Sequence, residues 1–269
     1  MLSERIGAVT SEEVEDGGLT FTRADNRATL AEVRQILAAA MEAGVGVRAF
    51  GGAGIALRCE LAQSPGILSR GFSDVDVVLA ARDHGGAGRL FEELGYVGDR
   101  RFNLTHGHVR MMFDHPEHGH LDVFVGDFVM CHTLKLRDRL TVHDETLAPS
   151  DLLLTKLQVA DLTLKDVQDV AALLATVPLS DDESGVRLAY IGGLLASDWG
   201  WWRTVTENLW IVRERLDRLD LPQDVISVIA ERIDELAAAI ETAPKSKRWR
   251  LRSRVGDRVP WREEPESAR

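Results

Sequence analysis

The chain has 269 residues, of which 45% are hydrophobic, and a formal net charge of −11 at pH 7. This length and apolar content can bury a sizeable core, and the acidic balance argues against a general nucleic-acid binder, because phosphates need a cationic surface. The sequence contains no apolar run long enough to span a bilayer, no signal-peptide pattern after Met1, and no redox or metal motif around its two cysteines. We therefore expect a cytoplasmic protein with no membrane partner and no DNA partner.

The first predicted helix begins at Thr29-Leu30-Ala31-Glu32, which is a capping-box pattern. Apolar residues then recur on one helical face and the helix is expected to end at Gly44. The apolar positions are Val33, Ile36, Leu37, Ala40 and Met41. We expect this helix to pack on a β-sheet.

A short strand is predicted at 45–50, and it ends at Gly51-Gly52 before a helix-compatible run at 53–61. Glycines at a strand-to-helix turn let backbone N–H groups and a helix N-terminus approach a phosphate closely. The alternative is an ordinary tight turn, in which the glycines serve only the backbone conformation. Gly51 and Gly52 are thus candidate nucleotide-binding residues.

The next predicted strand, at 73–79, carries Asp74 and Asp76. Side chains alternate along a strand, so both carboxylates lie on one face, roughly 6.6 Å apart. Two negative charges at that separation repel by roughly 2.5 kcal/mol at an effective dielectric constant of about 20. A bound divalent cation would turn this repulsion into attraction. The alternative is a chance pair of solvated acids.

A helix is expected at about 85–94, followed by strands at 109–113 and 120–125 that are joined by a hairpin loop. Five histidines fall in or beside this hairpin: His106, His108, His115, His118 and His120. They raise the possibility of a Zn²⁺ site, but no cysteine accompanies them at zinc-site spacing, which favours loop residues in water. A general-base role for His108 or His120 stays open.

In the strand at 120–125, Asp122 points away from the face that carries the apolar residues. If this strand neighbours the one at 73–79, the carboxylates of Asp74, Asp76 and Asp122 converge. Hard oxygen ligands in that number suit Mg²⁺, which takes its remaining ligands from water and substrate phosphates.

The ordered set Gly51-Gly52, Asp74-Val75-Asp76 and Asp122 resembles the signature of the nucleotidyltransferase superfamily with a DNA polymerase β-like core, over roughly residues 45 to 126. The resemblance implies that Asp74 and Asp76 bind two Mg²⁺ ions that hold a nucleotide triphosphate. It implies that Asp122 completes the catalytic site and that the glycines contact phosphate. The gap between Gly52 and Asp74 is longer than in compact family members, which marks 60–71 as an insertion of open role.

A second stretch extends the resemblance. Ser150 is the predicted N-cap of a helix that contains Lys156, and the next helix, at 164–174, carries Asp166 and Asp169 on one face. This pattern is similar to a segment of nucleotidyltransferase-like proteins related to abortive-infection toxins. That similarity implies that Lys156 neutralises triphosphate charge and that Asp166 and Asp169 support the site. The alternative is a capped amphipathic helix with solvated side chains.

Helix-forming residues dominate beyond Pro149, with helices predicted near 150–161, 165–176, 182–196, 199–219 and 222–241. We therefore predict an α+β fold: a nucleotidyltransferase-type mixed β-sheet with flanking helices at 1–146, an α-helical domain at 147–244 and a basic, flexible tail at 245–269. The tryptophans near Trp199 either stack on a ligand or pack between helices. The basic tail either binds RNA, with Trp249 stacking on a base, or balances the acidic body.

These observations predict a Mg²⁺-dependent nucleotidyltransferase that moves a nucleoside monophosphate from a nucleotide triphosphate to a hydroxyl of a small molecule or of RNA. Two metal ions can activate the attacking oxygen and stabilise the leaving group together. The alternative is a non-catalytic protein on the same fold that binds a nucleotide or a partner.

Overall fold

The computed structural model describes residues 14–16, 19–21 and 24–263. The strands of the first half and the helices among them are, in chain order, β1 Val14–Asp16, β2 Leu19–Phe21, α1 Arg27–Glu42, β3 Val47–Phe50, α2 Gly51–Arg58, β4 Asp74–Leu79, α3 His84–Glu93, β5 Val97–Gly98, α4 Arg100–His106, β6 Arg110–His115, β7 Gly119–Val125, β8 Phe128–Val129 and β9 Thr133–Leu134. The second half contains α5 Pro149–Leu157, α6 Leu164–Thr176, β10 Leu179–Ser180, β11 Val186–Arg187, α7 Leu188–Ser197, α8 Trp199–Arg215, α9 Gln223–Thr242 and α10 Lys247–Ser253. The predicted α+β class, a mixed sheet followed by helices, is confirmed.

The described residues contain a five-stranded mixed sheet in the order β3-β4-β7-β6-β5. Strands β4 and β7 are parallel neighbours in the centre, and every other pair is antiparallel. The parallel pairing places Asp76 opposite Asp122, and Asp74 opposite His120. The neighbouring strands assumed in the sequence analysis are therefore present, and the acidic residues share one face of the sheet.

Two hydrophobic clusters enclose this sheet. One face packs on α1 and α3 through residues such as Val77, Val123 and Phe91. The other cluster joins Phe50 of the sheet to Leu173 of α6 and continues through α8 and α9. It extends on both sides of the boundary predicted near residue 147, so the helical part packs directly on the sheet. No helix in the described ranges is both long and apolar enough to cross a membrane.

Two predicted helix starts were wrong. Helix α1 begins at Arg27, whose backbone N–H is bound by the side chain of Asp25 at 3.0 Å, and Thr29 lies inside the first turn. Helix α5 begins at Pro149, whose fixed φ favours the first helical position, and Ser150 lies within it. The Ser150 hydroxyl instead accepts a hydrogen bond from the Arg187 backbone N–H at 2.7 Å. In both cases the helix begins earlier in the sequence than the predicted cap, because a residue close by stabilises the first turn.

Two other predicted elements differ from the structure. The helix expected at 182–196 begins only at Leu188, because Asp182 forms a local turn by accepting a hydrogen bond from the Ser184 backbone N–H at 2.9 Å. The tail predicted to be flexible contains α10 instead. Trp249 of α10 packs edge-on against Trp202 of α8, with ring centroids 5.2 Å apart, which explains why this segment folds. Residues 264–269 lie outside the described part of the chain.

The tryptophans of α8 pack within the protein. Trp199 contacts both Trp202 and Trp261, at 6.3 and 6.2 Å between ring centroids. Trp201 stacks on the imidazole of His132 at 4.8 Å. Packing within the protein therefore accounts for the positions of these tryptophans. The stacking of Trp201 on His132 also holds the segment at 131–132 against α8.

His132 is a buried connection between the segment after the sheet and the helical part. Its Nε2 atom forms a 2.9 Å hydrogen bond with the hydroxyl of Thr204, and its backbone N–H donates to the side-chain oxygen of Gln158 at 3.2 Å. Burial lowers the pKa of His132 from 6.5 to about 4. The folded protein therefore holds this imidazole neutral at pH values where the unfolded chain protonates it.

This difference predicts a specific loss of stability in acid. As the pH falls from about 6.5 to about 4, the unfolded state gains a proton at His132 and the folded state does not. Wild-type protein should lose about 2 kcal/mol of unfolding free energy through His132 when the pH falls from 7 to 4.5. We expect His132→Gln to lack this part of the loss, as measured by urea denaturation at both pH values. Exposed His108→Gln is the control and should retain the wild-type difference. Equal differences in all three proteins would contradict the assignment.

Candidate active site

The candidate site lies on the face of the sheet opposite α1 and α3. Asp74 and Asp76 project from β4 on this face, and Asp122 projects beside Asp76 from β7. Their exposure differs: Asp74 is exposed, Asp76 is half-buried and Asp122 is buried. The structure thus brings the three predicted acids to one region through the period-two alternation of two adjacent strands.

Gly51 lies directly against the Asp76 carboxylate. The residue has φ = +62° at the start of α2, and a Cβ atom there would lie 2.2 Å from Asp76 Oδ2. Both the left-handed backbone and the close approach therefore require glycine. The glycine pair belongs to the helix itself, since α2 begins at Gly51 and not at residue 53 as predicted, and it ends at Arg58.

Burial and neighbouring charges both act on the carboxylate of Asp76. Burial disfavours its charged form, and the nearby carboxylates of Asp122 and Asp74 add repulsion. Lys156 and Arg110 act in the opposite direction but do not compensate, so the pKa of Asp76 is raised to about 7. A cation placed beside Asp76 would favour its ionised form, which is the electrostatic signature expected of a ligand-binding carboxylate.

Asp122 is bound by an arginine that the sequence analysis did not identify. Arg110 of β6 forms a bidentate ion pair with it, at 2.9 Å from Nε to Oδ1 and 2.7 Å from Nη2 to Oδ2. The guanidinium also lies 5.0 Å from the centroid of the Phe124 ring. The signal was available in the hairpin register: Met112 pairs with Asp122, so Arg110 is its diagonal neighbour.

Lys156, Asp166 and Asp169 form one buried network. The Lys156 ammonium lies 3.1 Å from Asp166 Oδ1 and 2.8 Å from Asp169 Oδ2. Arg70 adds a bidentate pair to Asp169, at 2.8 and 2.7 Å. Burial opposes the ionisation of Asp169, but Lys156 and Arg70 outweigh it and hold its pKa below the ordinary value. The solvated-side-chain alternative is therefore wrong for Lys156 and Asp169.

Arg70 gives a role to the segment at 60–71, which the sequence analysis left open. The segment carries Arg70 from beside α2 to Asp169 of α6. A Cβ atom at Gly52 would lie 2.1 Å from Arg70 Nη2, so the second glycine of the pair accommodates this guanidinium. Gly52 is thus explained by packing against Arg70, whereas a phosphate contact at Gly52 stays a prediction.

A cavity of about 760 Å³ connects the acidic face of the sheet to the helical part. Its lining combines carboxylates, cations and apolar side chains from both halves of the chain. The lining residues that matter here are Asp74, Asp76, Asp122, Asp161, Asp166, Arg110, Lys156, Arg262, Phe128 and Met130. The volume is large enough for a nucleotide or a small metabolite.

The fit to Mg²⁺ differs among the three acids. Asp74 and Asp76 offer carboxylate oxygens at the cavity wall, and the raised pKa of Asp76 favours a nearby cation. Both oxygens of Asp122 are bound by Arg110. Within residues 24–263 no group of three or more His, Cys, Asp or Glu side chains is arranged to hold a metal. Asp74 and Asp76 therefore fit the ion, whereas each oxygen of Asp122 already accepts one hydrogen bond from Arg110 and the cation of that pair offsets its charge.

The histidines near the hairpin have separate partners. His118 lies 3.2 Å from Glu32, and His120 lies 2.8 Å from Asp114 through Nδ1 and 3.8 Å from Asp122 through Nε2. His115 and His118 contact each other, with ring centroids 4.4 Å apart. This geometry leaves the Zn²⁺ interpretation without a ligand set among the described residues.

No protein-family model matches this chain, and no curated protein matches it. Among solved structures, it is similar to the solution structure of the antibiotic-resistance factor ANT(2'')-Ia, with 12% identity, a TM-score of 0.37, and coverage of 87% of this chain and 100% of that one. It is also similar to the crystal structure of ANT(2'')-Ia in complex with adenylyl-2''-tobramycin, with 11% identity, a TM-score of 0.32, and coverage of 80% and 98%. Because both scores are low, the functional argument depends on the site itself.

The Gly51 geometry predicts a position-specific effect of adding a methyl group. Gly51→Ala should lower the free energy of unfolding by about 2 kcal/mol or more, because the new Cβ atom meets Asp76 and φ is positive. Gly85→Ala in α3 is the matched control, since its Cβ would meet nothing within 4 Å. It should be neutral or stabilising by up to about 1 kcal/mol. Urea denaturation of both variants tests this, and equal stabilities would contradict the close approach.

The buried network predicts a second effect on stability. Asp169→Asn should destabilise the fold by about 3 kcal/mol, because Arg70 and Lys156 would lose a shared buried counter-charge. Asp161→Asn is the control, since Asp161 is exposed at the same cavity. Thermal and urea unfolding measure both. If the two variants are equally stable, the network does not hold α5 to α6.

Proposed function

We propose that this protein is a Mg²⁺-dependent nucleotidyltransferase that transfers a nucleoside monophosphate from a nucleotide triphosphate to a hydroxyl group. The observation that carries the proposal is the position of Asp76. Its carboxylate lies against the backbone of Gly51 and shares one sheet face with Asp74 and Asp122. A structural role alone does not account for a half-buried acid that two neighbouring acids repel, whereas cation binding does.

Each residue of the site has a task in this reaction. Asp74 and Asp76 would hold Mg²⁺, with two ions expected, and bound Mg²⁺ supplies electrostatic stabilisation of the phosphoryl charge. The absence of a side chain at Gly51 lets the Asp76 carboxylate lie against the start of α2, where backbone N–H groups can face a phosphate. Lys156, positioned by Asp166 and Asp169, adds positive charge at the cavity wall. Because the protein forms no covalent bond here, positioning and electrostatics carry the rate.

The third acid is proposed to act nearest the acceptor. Asp122 lies one strand away from Asp76 and is bound by Arg110. An acceptor hydroxyl that approaches Asp122 would compete with the guanidinium for its oxygens. The proposed acceptor is a small molecule or an RNA end. The cavity lining combines polar side chains such as Asp161 with apolar ones such as Met130, which is compatible with a small molecule that fits the cavity.

A specific observation also favours the non-catalytic alternative. With both Asp122 oxygens bound to Arg110, the third acid serves a structural ion pair in this conformation. A protein that binds a nucleotide without transferring it needs the cavity and its cations but does not need a free Asp122. Both proposals therefore expect the protein to bind a nucleotide, and only the first expects transfer to an acceptor.

Asp76→Asn tests the proposed function. The purified protein is incubated with Mg²⁺, each α-labelled nucleotide triphosphate, and either total RNA or a small-metabolite pool, and label in the acceptor is measured. We expect wild-type protein to transfer label and Asp76→Asn to lose activity by on the order of 100-fold or more, with normal circular dichroism. Asp138→Asn is the control, because Asp138 is exposed and is not part of the cavity lining.

The outcomes separate the alternatives. Full activity in folded Asp76→Asn would refute the assignment of Asp76. Binding of nucleotide to the wild type without transfer to any acceptor would favour the non-catalytic protein. Loss of activity in both variants would indicate a general charge effect and would also refute the specific role.

A further inference from the structure

The segment at 260–263 is anchored beside the cavity by contacts with both halves of the chain. The Glu263 backbone N–H donates to the Cys131 carbonyl at 3.0 Å. The Trp261 indole N–H donates to the Thr204 hydroxyl at 3.2 Å. A Cβ atom at Gly200 would lie 2.5 Å from the Trp261 carbonyl oxygen, which shows how closely this backbone packs on α8. The position of residue 262, between these two anchors, is therefore fixed.

Arg262 forms part of the cavity lining, together with Asp74, Asp76 and Lys156. It is half-buried, and its guanidinium lies 5.6 Å from the centroid of the adjacent Trp261 ring. A cation thus enters the acidic site from the far C-terminal end of the described chain. The sequence analysis did not predict a role for Arg262 at the acidic site, because nothing in the composition of the tail distinguishes it from the other basic residues there.

The three cations of the lining differ in what they are bound to. Arg110 is paired with Asp122, and Lys156 is paired with both Asp166 and Asp169. Arg262 has no carboxylate within ion-pair distance among residues 24–263. In that part of the chain, it is the cavity cation whose guanidinium donors are not already committed to an acid.

We propose that Arg262 binds the oligophosphate of the nucleotide triphosphate, so that the C-terminal segment completes the substrate site. This inference rests on the function proposed above. A guanidinium offers five N–H donors in a planar fork that matches two phosphate oxygens, and its charge does not titrate. The cavity lining has five aspartates and three cations, so an anionic substrate requires an uncommitted positive charge.

The contacts of the segment indicate that the Arg262 side chain can be removed without unfolding the protein. Trp261 and the backbone of Glu263 provide the anchors, whereas the Arg262 side chain contributes no hydrogen bond to them. Arg262→Ala should therefore leave the thermal unfolding midpoint near the wild-type value. Arg262→Lys retains the charge but not the fork, and Arg258→Ala removes an exposed cation four residues away that is not part of the lining.

The test is equilibrium binding to the full chain by calorimetry in Mg²⁺, with inorganic triphosphate, ATP, GTP, CTP, UTP and adenosine as probes. We expect Arg262→Ala to weaken binding of inorganic triphosphate and of the preferred nucleotide about tenfold or more. Arg262→Lys should lie between Arg262→Ala and the wild type. Adenosine binding and all binding by Arg258→Ala should be unchanged.

The results distinguish this inference from the proposed function. If the wild type binds triphosphate and Arg262→Ala binds it equally well, the Arg262 role is wrong and the nucleotidyltransferase proposal stands. An equal loss in Arg262→Ala and Arg258→Ala also refutes it, because that reflects net charge alone. If the wild type binds neither triphosphate nor any nucleotide, both proposals fail.

Discussion

Three carboxylates gather on one face of the central sheet, and their negative charge sets what the cations around the cavity must compensate. Parallel pairing of β4 and β7 places Asp76 beside Asp122, and the strand alternation adds Asp74 to the same face. Burial is the main cause of the raised pKa of Asp76, and repulsion from Asp122 and Asp74 adds to it. Arg110 compensates Asp122 directly, but no comparable pair exists for Asp76 within the described residues. A cation bound beside Asp76 would relieve this repulsion, and the proposed Mg²⁺-dependent function rests on that electrostatic argument.

The surrounding cations come from segments far apart in the sequence, and packing holds them in place. Lys156 reaches the cavity from α5 because Asp166 and Asp169 of α6 hold it, and Arg70 fixes Asp169 from the other side. One hydrophobic cluster extends from the sheet through α5 and α6 to α9, so the helical part cannot move independently of the acidic face without exposing that core. The shared core explains how an ammonium and three carboxylates from separate halves keep a constant geometry, as electrostatic preorganisation demands.

Two features bear on whether the site performs turnover. The bidentate Arg110–Asp122 pair gives each oxygen of the third acid a hydrogen bond, and an acceptor that uses Asp122 would share or compete for these oxygens. The anchored segment at 260–263 brings Arg262 into the lining of the same cavity. An anionic donor bound by Arg262 and an acceptor near Asp122 would therefore meet in one cavity, as transfer between two substrates needs.

Local periodicity and side-chain alternation were enough to predict the α+β class, the strands that carry Asp74, Asp76 and Asp122, and the existence of the helices after Pro149. It also indicated Lys156, Asp166 and Asp169 as a group, although not that they form one buried network. Helix starts at Thr29 and Ser150 were wrong because Asp25 and Pro149, close by in sequence, satisfied the first turn instead. The folded structure was needed to show that Arg110 binds Asp122, that Arg70 binds Asp169 and that Arg262 lines the cavity. Those pairings join residues from separate elements, and which cation reaches which carboxylate depends on strand register and helix packing, which local sequence patterns do not encode.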